Sequence, residues 1–174
     1  RTLVIGVRKD LQNISPYDIF PEKHKPKTLR KLFAGLEQLN EMGQISQSDI
    51  FHSFREYNPK MLSWIENLKE GESAFQNTEK ERIPHQIKDG KIVFNESKNG
   101  DKYARWYWDR EGPCVHTRND ILSSQNTVHP SENRVFSIRE IMLMMSIPET
   151  FQWSNTSTEK LNNLSILEKK MFLK

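Results

Sequence analysis

The stretch Pro84–Trp108, PHQIKDGKIVFNESKNGDKYARWYW, sets the fold class. It carries two turn dipeptides, Asp89-Gly90 and Asn99-Gly100, each lying between short runs rich in β-branched or aromatic residues. Both dipeptides favour the type I′ turn, whose twist suits a two-residue hairpin. The spacing predicts a three-stranded antiparallel meander over residues 84–108. Its third strand, Lys102–Trp108, would set Tyr103, Arg105 and Tyr107 on one face and Lys102, Ala104, Trp106 and Trp108 on the other. One of those faces is expected to be exposed and able to touch a ligand.

On either side the period changes. Thr28–Met42 places Leu29, Leu32, Phe33, Leu36 and Leu39 at helical spacing, with Gly43 as a stop. Asn58-Pro59 is a helix entry, a cap followed by proline at the first helical position. Met61, Leu62, Ile65 and Leu68 form that helix's apolar stripe, and Gly71 ends it. Ser137-Ile138-Arg139-Glu140 has the form of a capping box ahead of an apolar run. A helix is expected through Met145, closed by Pro148. Thr158–Phe172 reads as a final helix striped by Leu161, Leu164, Leu167 and Met171. At the other end, Thr2–Val7 is a continuous apolar run, the pattern of a strand buried on both faces. The chain is therefore expected to be α+β.

Composition bounds the function. The 174 residues carry a net charge of +3, with 28% charged and 10% aromatic residues. Such aromatic content argues against disorder. The longest apolar run, Ile141–Met145, is far short of the ~20 residues that span a bilayer, so no membrane partner is expected. One cysteine excludes an internal disulfide framework and fits a reducing, cytoplasmic setting. His24, His52, His85, His116 and His129 have no metal-ligand spacing, so no metal is expected. The seven glycines build no phosphate-binding loop. Cys114 and His116 invite a thiol-enzyme reading, but a lone cysteine is more often a small buried hydrophobe. The charges are not evenly spread. Lys23, His24, Lys25, Lys27, Arg30 and Lys31 cluster, and Lys102, Arg105 and Arg110 interleave with aromatics. The bland reading of both stretches is a solvated face.

His129-Pro130, then Arg134-Val-Phe136-Ser137-Ile-Arg139-Glu140, then Pro148-Glu-Thr-Phe151, together resemble the ninth motif of the DNA (cytosine-5)-methyltransferases. Trp108-Asp109, Pro113 and Thr117 resemble the family's approach to that motif. Arg1-Thr-Leu-Val-Ile-Gly-Val-Arg8-Lys-Asp10-Leu11 resembles the end of its eighth motif. Leu143 and Ile147 depart from the pattern, standing where the family has arginine and an aromatic. The sequence has no F-x-G-x-G, no Pro-Cys-Gln and no Glu-Asn-Val motif. Pro113-Cys114 lacks the glutamine and follows the eighth motif, so it is not the family's nucleophile.

The resemblance implies a C-terminal piece of a larger bacterial enzyme. Residues 1–15 would end a catalytic-domain strand at the edge of a truncated α/β domain. Residues 16–107 would be the target-recognition region, 108–152 the approach to the motif-nine helix and that helix, and 153–174 a helix leading back to an absent tenth motif. S-adenosylmethionine is implied for the parent, and none is expected bound to this chain. The implied partners are double-stranded DNA and the rest of the catalytic domain. Arg1 would hold the flipped cytosine or its phosphate. Lys102, Arg105, Arg110, Arg118 and Asn119 are candidates for base edges, by the usual pairings of arginine or lysine with guanine and of Asn with adenine. Lys23, Lys25, Lys27, Arg30 and Lys31 suit phosphate. Arg134, Ser137, Arg139 and Glu140 would tie the motif-nine helix to the recognition region. The alternative is a basic α+β nucleic-acid-binding module unrelated to methylation.

Overall fold

Apolar residues from opposite ends of the chain meet in three clusters, and short elements join them. The computed structural model describes residues 4, 6–10, 13–20, 22–94 and 100–174. In chain order the regular elements are α1 (Leu29–Leu32), α2 (Leu62–Ile65), β1 (His85–Lys88), β2 (Lys91–Phe94), α3 (Ile138–Met144), α4 (Thr158–Asn162) and α5 (Ile166–Phe172). Single 3₁₀ turns at Pro16–Ile19, Pro59–Met61, Ala74–Gln76 and Lys80–Arg82 punctuate the loops.

The largest cluster packs Leu39, Phe54, Trp64, Ile65 and Leu68 against Tyr103, Leu122, Val128 and Val135. A second joins Ile50 and Phe51 to Met142 and Leu161. A third joins Leu29 and Phe33 to Phe136, with Trp106 and Trp108 alongside. Each cluster draws residues from both sides of position 107, so the segments on either side of it pack against each other.

The fold is a mixture of helix and strand, but the three-stranded meander does not form. Among the described residues the only sheet is the antiparallel pair β1–β2, with His85 opposite Phe94 and Lys88 opposite Lys91. Asp89 and Gly90 have φ of 51° and 72°, the left-handed pair that a type I′ turn needs. The expected third strand is claimed by other partners. Ala104 bridges to Ser73, Lys102 to Gln125, and Arg105 runs parallel to Val128. Tyr103 takes φ of +50°, outside the extended region, and its ring lies buried against Trp64 and Phe75. Tertiary packing outweighs the local hairpin signal here. Asn99 lies outside the described residues.

Three helices are shorter than their periodicity suggests. The one expected from Asn58-Pro59 to Gly71 is a 3₁₀ turn at Pro59–Met61 followed by α2, Leu62–Ile65. α1 ends before Gly35, whose φ is +92°. Beyond it Leu39 enters a different cluster from Leu29 and Phe33, so the stripe is shared between two cores. The final helix breaks because Ser165 starts a new one: its side chain caps the amide of Glu168, and Glu168 reaches back to the Ser165 amide. Leu167 and Met171 are exposed on α5. Of the strand expected at Thr2–Val7, residues 2, 3 and 5 lie outside the described set. Val4, Gly6 and Val7 are described and form no strand, and Val4 is 88% exposed rather than buried.

Candidate nucleic-acid interface and the frame behind it

The stretch from His129 to Glu140 is the centre of the molecule. Val128 pairs with Val135, and the His129 amide donates to the Arg134 carbonyl at 2.8 Å, which closes the intervening loop. The Arg134 side chain, 1% exposed, points into that loop. Its Nη1 and Nη2 donate to Glu140 Oε2 and Oε1 at 2.8 and 2.7 Å, and its Nε to Glu132 Oε2 at 2.8 Å. The fork geometry matches the carboxylate, so two buried charges find full partners. Burial would raise the pKa of Glu140, but the Arg134 guanidinium outweighs it and holds the carboxyl below its usual range.

Glu140 also completes the helix cap. The Ser137 amide donates to Glu140 Oε2 at 2.7 Å, and the Glu140 amide to Ser137 Oγ at 3.1 Å. His52 Nδ1 lies 2.9 Å from Ser137 Oγ and its Nε2 2.8 Å from the Glu37 carbonyl. Arg139, at the same helix start, pairs with Asp49 and donates its amide to the Phe51 carbonyl at 2.7 Å. The N-terminus of α3 is thus fastened to residues 49–53.

His129 sits inside the same frame. Its Nδ1 accepts from the amides of Ser131 and Glu132 at 3.3 and 3.0 Å, so the proton of the neutral ring is on Nε2. Nε2 faces Glu140 and Glu132 at 3.6 and 3.7 Å. Burial pushes the His129 pKa down to about 4 despite those carboxylates, so the ring is neutral at pH 7. Phe33, Trp108 and Phe136 surround it. The frame is sealed and orients helices; it offers substrate no proton donor or acceptor.

The expected DNA-contacting residues divide sharply. Arg105 must be withdrawn from the reading set. It is 3% exposed, and its guanidinium donates to the carbonyls of His129, Glu132 and Ile65 and to Asn133 Oδ1 at 2.7–3.0 Å. With four internal acceptors it is a structural cation. Lys23, Lys25, Lys27 and Lys31 are exposed. Arg30 is exposed but paired with Asp109 through two bonds of 2.8 and 2.9 Å, above the Trp108 ring. Arg110 lies near it in chain and space, stacked over Tyr107 at 4.2 Å, while its carbonyl accepts from the Leu29 amide. Arg30 therefore lies over Trp108, and Arg110 over the adjacent Tyr107. Lys102, Arg118 and Asn119 belong to a second group, along the 101–105 and 116–125 segments. Arg1 lies outside the described residues. His52, Asp49, Glu132 and Asn133 were not singled out by sequence; each acts through partners far along the chain or through backbone geometry.

Cys114 and His116 form no dyad. Cys114 is exposed with its thiol near the Val115 carbonyl, and the His116 ring turns toward Ser124, Gln125 and the Arg118 amide. No cluster of potential metal ligands occurs among the described residues. None of the described helices is long and apolar enough to cross a membrane.

A family model described as C-5 cytosine-specific DNA methylase matches residues 1–165. The chain belongs to that family. It is similar to the type II methyltransferase M1.HgaI of Avibacterium volantium, 28% identical over 125 residues, which is 63% of this chain and 31% of that protein. It is also similar to the DNA (cytosine-5)-methyltransferase CMT2 of Arabidopsis thaliana, 34% identical over 69 residues, 40% of this chain and 5% of that one. A third relative is the type II methylase M.HgiDII of Herpetosiphon aurantiacus, 27% identical over 66 residues, 38% of this chain and 19% of that one. The chain spans less than a third of the length of each of these relatives. No solved structure matches it.

Methylases of this kind generally use S-adenosylmethionine, and the larger of two cavities among the described residues does not fit it. The larger cavity, about 740 Å³, is floored by Phe54, Val135, Phe136 and Ile138. Most of its charged rim is already committed: Arg55 pairs with Asp120 at 3.2 Å and Glu56 with Lys170 at 3.0 Å. Among the described residues that line it, only Lys174 is left without an ion partner, so no carboxylate remains for the cofactor's amino group.

Proposed function

We propose that residues 1–174 form the DNA-reading portion of a DNA (cytosine-5)-methyltransferase, an enzyme that moves a methyl group from S-adenosylmethionine to C5 of a flipped cytosine. Residues 16–107 read the target, 108–152 carry the framing helix, and 1–15 and 153–174 join the catalytic domain. Likeness to two type II enzymes supports a role in a bacterial restriction-modification system, in the cytoplasm. The nucleophile and cofactor site belong to the partnering catalytic domain, so these residues alone transfer no methyl group. Arg1 keeps its proposed place at the flipped base or its phosphate.

Flipping a base costs a few kcal/mol, which contacts to the flanking DNA must offset. The observation that carries the reading is the split in charge. The family's motif-nine residues are turned inward, while Lys23, Lys25, Lys27, Lys31, Arg110 and Arg118 remain at the surface. Lys102 and Asn119, half-buried, complete the set that faces DNA.

Titrating the 174-residue chain with duplex DNA over a range of salt tests it. Affinity is expected to fall steeply and linearly on logarithmic axes, by roughly 0.9 log units per log unit of salt for each phosphate neutralised. Affinity independent of salt, or methylation by these residues alone, would contradict the reading.

A further inference from the structure

The β1–β2 hairpin stands apart from the core, and its two faces differ in chemistry. Cross-strand partners share a face, so His85, Ile87, Ile92 and Phe94 lie on one side and Gln86, Lys88, Lys91 and Val93 on the other. The first side turns toward the body. His85 packs against the buried Trp64 ring at 5.5 Å, with Phe94 beside it at 6.1 Å. Just before β1, Arg82 fastens the chain to α2 through the Ser63 carbonyl at 3.0 Å and Glu66 at 2.9 Å. Further out the ribbon overhangs the core, and Ile87 is 61% exposed.

The outward side carries a local conflict. Lys88 and Lys91 stand directly opposite each other beside the turn, a like-charged pair that weakens the ribbon. Both are exposed, and neither is ion-paired among the described residues. An anion between or beside them would remove that repulsion. Gln86, one pair nearer the core, presents an amide that can both donate and accept.

We propose that the hairpin Gln86–Val93 enters the major groove of duplex DNA, with Lys88 and Lys91 on phosphate and Gln86 on a base edge. The inference rests on the DNA-reading role above and adds the element that does the reading. The dimensions agree. Four residues of strand extend roughly 13 Å at about 3.3 Å each. The groove is about 12 Å wide and admits a two-stranded ribbon. A ribbon laid across it from a fixed base carries its tip to the far phosphate wall, while its middle lies over the bases. Gln86 there has the bidentate geometry that suits adenine N6 and N7.

Three proteins separate the roles: the unsubstituted chain, a Lys88→Ala/Lys91→Ala double variant, and Gln86→Ala. All the substituted positions are exposed, so unchanged thermal unfolding serves as the control. The double variant is expected to reduce the salt slope of duplex binding by about 2, one unit for each phosphate no longer neutralised. Gln86→Ala is expected to leave the slope alone and to relax base preference at one position when duplexes are selected from a randomised pool. An unchanged slope in the double variant, while the unsubstituted chain binds duplex, overturns the hairpin assignment and leaves the DNA-reading role standing. Equal affinity for single-stranded DNA, which has no groove, overturns it as well. No binding of the unsubstituted chain to duplex at low salt overturns both.

Discussion

Around Arg134 the charges are enclosed and internally satisfied: its guanidinium pairs with the Glu132 and Glu140 carboxylates, Arg105 donates to three backbone carbonyls and Asn133, and the His129 imidazole is neutral. Along Lys23–Lys31 and at the hairpin tip the cations face solvent, and among the described residues only Arg30 has a close carboxylate partner. Both regions are rich in charge, yet they answer to different energies. Taking an ion out of water costs several kcal/mol, recovered only when its partner and geometry are right. Such a frame is all-or-none, and it fixes where α3 starts and what it grips. An exposed lysine costs the fold almost nothing, and its value appears when phosphate arrives. Stability and binding should therefore separate by region.

The sharpest way to break that comparison is Glu140→Ala. It removes the cap and leaves Arg134 buried with only Glu132, so a loss of about 3–5 kcal/mol is expected in denaturant unfolding. A loss below about 1 kcal/mol would mean the pair is hydrated. Acidification comes next. The His129 pKa falls from about 6.5 in the unfolded chain to about 4 in the folded one, so the unfolded state binds the extra proton. The contribution of the neutral ring is intact above pH 6.5 and is lost as pH falls toward 4. Stability at pH 7.5 and at pH 4.5 should differ by up to about 3 kcal/mol, and His129→Gln should flatten that dependence. Arg105→Lys follows. One ammonium cannot reach four acceptors in different directions, and a loss of roughly 2 kcal/mol is expected from calorimetry, with DNA affinity per folded molecule unchanged. Last, Lys23→Ala/Lys25→Ala/Lys27→Ala should move stability by less than about 0.5 kcal/mol. The same variant should reduce the salt slope of duplex binding by about 2–3.

Much of this was legible in the sequence where the signal is local. The Ser137–Glu140 box, the Asn58-Pro59 entry and the Asp89-Gly90 turn each need only neighbouring residues, and each forms. The motif-nine residues announced the family by their order. The failures are long-range. Residues 102–108 alternate like a strand, but Ser73 and residues 125–128, farther along the chain than β2, supply their bridging partners. Arg105 looks like any aromatic-flanked cation until its acceptors, 24 to 40 positions away, are brought in by folding. The Arg139–Asp49 pair and the His52–Ser137 bond span 90 and 85 positions, beyond any local pattern.

Lysine acetylation read by mass spectrometry, with and without saturating duplex DNA, tests the division of charge most directly. Protection is expected at Lys23, Lys25, Lys27, Lys31, Lys88 and Lys91. Lys160 on α4 and Lys170 on α5 should stay as reactive as in the free protein. Protection spread evenly over all lysines, or concentrated on α4 and α5, would contradict the account.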